Sequence, residues 1–286
     1  MTIMILFLAF TAAHYLPMPT ITGSFWADRY NRLFKDKFPW STQRENVSGF
    51  IPWVVILSLL TFLTLWVVKN NLHFWFSIPL ETFLLFLALG ANDLDEDVNR
   101  ALHAKPDKRL DVARQHFGLN QHCTFTDSLW PQLVTKEALQ RWFTPILWFV
   151  ILGPVAALVY RLLQHSAVNM DTDAPANRIR ILMEWLPAQL MALSLAIVDN
   201  FSPVIRHWKG QRCPQTGRIN DIECEFLYQA INTAVEDTLK QARDDRETIE
   251  NDETLARLSM SRQLIWRILF VWMTVLALLI LLDIIP

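Results

Sequence analysis

Glycine is scarce in this chain. Seven occur in 286 residues, Gly23, Gly49, Gly90, Gly118, Gly153, Gly210 and Gly217, and no two lie within six positions of each other. A phosphate-cradling loop needs two glycines at five-residue or closer spacing, so Walker and dinucleotide-binding turns are excluded. The HExxH zinc motif and the GxSxG nucleophile elbow are missing as well. Cysteine is limited to Cys123, Cys213 and Cys224, which form neither a CxxC pair nor an even framework and read as structural thiols. His116, His122 and Cys123 cluster loosely without metal-ligand spacing. Charge is sparse too. Asp, Glu, Lys and Arg make up 19% of the residues and the net charge is −2, which gives no electrostatic basis for binding nucleic acid. No motif for a cofactor emerges.

Apolar surface is what the chain has in abundance. Hydrophobic residues reach 52%, aromatics 12%, and mean hydropathy is +0.21, the profile of a membrane protein. The expected architecture is all-α: a polytopic membrane helix bundle with kinked helices and cytoplasmic amphipathic helices, forming one integral membrane domain over 1–286. Crossings are expected at about 47–68, 72–91, 142–163, 181–198 and 266–284, with cytoplasmic segments at about 93–141 and 200–265. Met1–Leu16 is apolar but lacks a basic leading region, and Pro17 and Pro19 follow it. It reads as membrane-embedded or interfacial rather than as a cleaved signal. Lys and Arg alternate along the chain: 5 before the first crossing, 1 in the first hairpin at Lys69-Asn70-Asn71, 7 over 93–141, 3 over 161–180 and 10 over 206–267. The cation-rich segments fall on the cytoplasmic side if all five segments cross, which leaves the C-terminus periplasmic. Trp66, Trp75, Trp142 and Trp266 near segment ends fit interfacial belts.

The central apolar run, Trp142–Tyr160, holds 19 residues without a charge and carries Gly153-Pro154 at its middle. Pro154 removes a backbone donor and crowds the carbonyl of Val150, so a bend is expected there. Ile181–Trp208 repeats the style, with Glu184-Trp185-Leu186-Pro187 at one end and Asp199-Asn200 farther on. Charged and amide groups at membrane depth mark a candidate polar site of Arg161, Glu184, Gln189 and Asp199, with Arg161 and Glu184 close enough in the sequence topology to pair. Glu81 reads as a carboxylate tying helices together. A second candidate is acidic: Asp93 and Asp97 stand four apart on one helical face. They can hold Mg²⁺ through hard oxygen ligands, or they can complement a helix N-terminus. Farther on, Ile222, Phe226, Leu227, Ala230, Ile231, Val235 and Leu239 mark an amphipathic helix over about 221–243.

Two stretches, WFTPILWFVILGPVAALVYRLL and ILMEWLPAQLMALSLAIVDNF, resemble the AmpE family of bacterial inner-membrane proteins. They are more distantly similar to the CbiB/CobD membrane proteins of cobalamin biosynthesis, which share the Gly-Pro-x-x-Ala-Leu-x-Tyr-Arg/Lys run. The resemblance covers Trp142–Trp208 and, more loosely, Asp93–Ala104. Gln189 stands where the related Trp-x-Pro-Ala-Arg motif has Arg, and Gln164-His165-Ser166 replaces an Asn-Thr-Leu-Asp run. The nearer resemblance implies a multi-pass, non-enzymatic modulator of the bacterial inner membrane, connected with β-lactamase induction and peptidoglycan recycling. It implies the lipid bilayer as surroundings and the AmpD amidase, or another peptidoglycan-recycling protein, as partner. The distant one implies a membrane enzyme that forms an amide bond on a corrinoid.

Overall fold

A computed structural model describes Ile5, Leu8, Ala9 and Thr11, then residues 50–71, 77–89, 94–117, 127–167, 175–198, 224–244 and 253–282. All regular structure among the described residues is helical. The helices are α1 (Phe50–Asn71), α2 (Ser77–Leu89), α3 (Leu94–His103), α4 (Pro106–His116), α5 (Trp130–Ala138), α6 (Thr144–Leu152), α7 (Pro154–Ala167), α8 (Pro175–Val198), α9 (Glu225–Asp244) and α10 (Glu253–Leu281). A 3-10 turn, Asp127–Leu129, leads into α5, and a π-helical turn, Leu139–Phe143, follows it. Packing divides the chain into two compact units.

The first unit comprises Met1–Asn92, Thr144–Met183 and Ile285–Pro286, and its helices α1, α2 and α6 all pack on α7. The 22 residues of α1 span about 33 Å at 1.5 Å per residue. Lys69, Asn70 and Asn71, expected to form a hairpin, instead complete its last turn. Val55, Ile56, Leu59, Phe62, Leu63 and Trp66 are each more than half exposed along α1. In water such a continuous apolar face is rare, and it marks an interaction surface. On α2, Glu81 is buried.

The expected bend within one crossing at 142–163 is instead a break. Gly153 adopts φ +85°, and its N–H closes the last turn of α6 on the carbonyl of Phe149 at 2.9 Å. That is a left-handed helix stop, which a side chain would strain. Pro154 then stands at the first position of α7, where its fixed φ and missing N–H cost nothing. Proline inside a helix bends it. Glycine one residue earlier ends the helix first, and α6 and α7 pack against each other across the break.

The second unit comprises Asp93–Phe143 and Glu184–Ile284. Its centre is α5, on which α3, α9 and α10 pack. Trp130, fully buried, meets Phe117 edge to face at 5.5 Å. The amphipathic helix expected over 221–243 is observed as α9, with Phe226, Leu227, Ala230, Ile231, Val235 and Leu239 buried; Ile222 lies outside the described residues. The final helix, α10, begins at Glu253, ahead of the crossing expected from about 266, and these leading turns bury Leu258, Ser261, Leu264 and Ile265. Of the tryptophans expected at segment ends, Trp142 and Trp266 pack their rings edge to face at 5.6 Å, Trp66 is exposed, and Trp75 lies outside the described residues. Among the described residues, Asn177–Val198 and Glu253–Leu279 are long and apolar enough to cross a membrane.

Candidate functional site: a buried ion-pair cluster

The acidic segment before α3 was expected to present Asp93 and Asp97 together. Asp93 lies outside the described residues, and the described acids of α3 go separate ways. Asp95, Glu96 and Asp97 all stand in its first turn, where the helix dipole favours them. Glu96 is exposed and pairs with Arg100 at 2.5 Å, one turn on. Asp95 accepts from Arg262 Nε at 2.5 Å, with Arg262 Nη2 on its other oxygen, and from Trp266 Nε1 at 3.1 Å. This forked contact ties α3 to α10.

Asp97 turns inward, with only 3% of its side chain exposed. Arg141 Nη1 donates to its Oδ2 at 2.6 Å, and His116 Nδ1 stands 3.0 Å from its Oδ1. Arg100 Nη1 is 3.6 Å from the same Oδ1. Arg141 is itself 11% exposed and uses its whole fork: Nε donates to Glu137 Oε2 at 2.8 Å and Nη2 to the carbonyl of His116 at 2.9 Å. One guanidinium therefore gathers α3, the end of α4 and α5. Burial works against the Arg141 charge, but the carboxylates of Glu137 and Asp97 outweigh it, and the pKa is raised above its ordinary value. Arg141 sits in the π-helical turn, whose wider coil changes where a side chain leaves the helix.

The other expected site divides between the units. Arg161 is half-buried in the first unit and donates to Gln164 Oε1 at 2.6 Å. Glu184 is buried in the second, where Gln140 Nε2 lies 3.4 Å from its Oε2 and Cys224 Sγ lies 4.0 Å from its carbonyl oxygen. Each finds an amide partner within its own unit. Gln189 is half-buried on α8, and Asp199 lies outside the described residues. His116 belongs to the Asp97 cluster; His122 and Cys123 are outside the described residues. Among the described residues no three His, Cys, Asp or Glu side chains converge as metal ligands.

Sequence reasoning missed Arg141 as the partner of Asp97, 44 positions away. The Glu137–Arg141 spacing of four was the one readable signal, since such pairs meet on a helix. No family model, curated protein or solved structure matches the chain.

Proposed function

We propose that the chain is a multi-pass protein of the bacterial inner membrane that modulates β-lactamase induction, as its AmpE-like sequence runs imply, with an amidase of peptidoglycan recycling such as AmpD as partner. Two features support the membrane reading. The helices α1, α8 and α10 are long enough to reach across a hydrocarbon core of about 30 Å. Each also turns large apolar side chains outward: Leu59 and Phe62 on α1, Leu193 and Ile197 on α8, Phe270 and Leu278 on α10.

The observation that favours a modulator over a catalyst is the engagement of Asp97 by Arg141. A carboxylate aimed at a metal or a substrate phosphate keeps its oxygens free for that ligand. Here Arg141 holds one oxygen of Asp97, His116 and Arg100 stand at the other, and Asp95 is held by Arg262 and Trp266. The cluster works as an internal clamp, joining helices so that a signal at one can be felt at the others. Deleting the gene is the test. The expected result is an altered β-lactamase response to a β-lactam inducer, restored by the wild-type chain, with corrinoid-dependent growth unchanged. A normal response together with failure of corrinoid-dependent growth would replace the modulator with the amide-forming enzyme.

A further inference from the structure

The 19 uncharged residues from Trp142 to Tyr160 would nearly cross a bilayer as one straight helix, but they are not straight. We infer that α6 and α7 form a re-entrant hairpin, which enters the membrane from the cytoplasmic face and returns to it. This rests on the membrane reading above and changes the number of crossings within it. Folded at Gly153, the nine residues of α6 reach only about 13–14 Å, roughly half the hydrocarbon thickness. The legs are apolar up to Arg141 on one side and Arg161 on the other, and the tip residues Ile151 and Leu152 are 52% and 63% exposed. A hairpin with a wet apolar tip is costly. A tip dissolved in lipid is not.

Parity extends the argument to α8. Within the second unit α9 packs on α5, so the two helices lie on the same side of the membrane. The number of crossings between them is therefore even. Either both the 142–163 segment and α8 cross, or neither does, because the sequence between Val198 and Cys224 carries Arg206, Lys209, Arg212, Arg218, Asp221 and Glu223 and is too polar to return through lipid. A reversal at Gly153, where the helix stops and α7 packs on α6, selects neither. In that arrangement α8, though long and apolar enough to cross, lies along the inner leaflet instead, with Ile179, Leu182, Trp185, Leu193 and Ile197 exposed as a stripe and Ala188, Met191 and Leu195 buried behind it. Charge agrees. With five crossings, the cations of 161–180 are periplasmic. With the hairpin, 25 of the 26 Lys and Arg residues are cytoplasmic and only Lys69 is not.

Single cysteines read the sidedness directly, in a background with Cys123→Ser, Cys213→Ser and Cys224→Ala. Asn70→Cys marks the periplasmic face and Lys136→Cys the cytoplasmic one; Gln164→Cys is the informative site. A membrane-impermeant maleimide, applied to intact cells and then to permeabilised ones, is expected to label Asn70→Cys in both and Gln164→Cys only after permeabilisation, as with Lys136→Cys. Labelling of Gln164→Cys in intact cells would overturn the hairpin and leave the membrane reading standing. If Gln164→Cys does not accumulate, exposed Arg178→Cys reports the same side. Recovery of the whole set from the soluble fraction would instead overturn the membrane reading, and the hairpin with it.

Discussion

Replacing Arg141 with Met is expected to destabilise the protein by about 3–5 kcal/mol, the usual cost of removing one partner from a buried ion pair. The size follows from what is left behind. Asp97, 3% exposed, and Glu137, 11% exposed, would be left buried with no guanidinium between them. The carbonyl of His116 would lose its donor at the same time. His116 and Arg100 still face Asp97, so the loss belongs mostly to Glu137 and to the link between α4 and α5. Thermal unfolding in detergent measures it. The triple variant Arg141→Met, Asp97→Leu, Glu137→Leu is expected to regain most of the loss, because apolar residues of similar volume often replace a buried ion cluster without penalty. A loss below about 1 kcal/mol in the single variant would mean that water screens the cluster as it screens a surface pair.

The sequence made some of this legible and hid the rest for physical reasons. The period of Phe226, Leu227, Ala230, Ile231 and Val235 announced α9, because one buried face repeats every three or four residues. Asp97 was readable as a residue of interest, since Asp93 and Asp97 stand four apart on one helical face. Its partner was not readable. Arg141 stands at the foot of an apolar run, where a cation normally marks the cytoplasmic edge, and nothing local shows that a π-helical turn sends it inward. Gly153-Pro154 was read through the proline. The glycine's φ decides the outcome, and composition does not report φ. The early start of α10 was obscured because Arg257 and Arg262 look like residues of a solvated stretch until their partners, Glu236 and Asp95, are found across helices.

A charge placed on the outward face of α1 is the second large effect. Leu59 is 67% exposed and stands near the middle of the 22-residue helix. In a water-soluble protein, an exposed Leu→Arg change costs within about 0.5 kcal/mol. At the centre of a membrane span, Arg costs about 2.5–3.5 kcal/mol on insertion scales. Leu59→Arg and Phe62→Arg are therefore each expected to reduce the amount of inserted protein sharply, as measured by carbonate extraction of membranes. The exposed but polar position Lys240, changed to Ala, is expected to leave it unchanged.

The central claim is that the Asp97 cluster holds a membrane regulator together and takes no part in bond-making chemistry. Its most direct measurement is β-lactamase induction in a deletion strain that carries the Arg141→Met, Asp97→Leu, Glu137→Leu triple variant. The expected result is an induction response matching that of the wild-type chain, at equal amounts in the membrane. A triple variant present at wild-type level that leaves the response as it is in the deletion strain would contradict the claim and make the ionised carboxylates part of the activity itself.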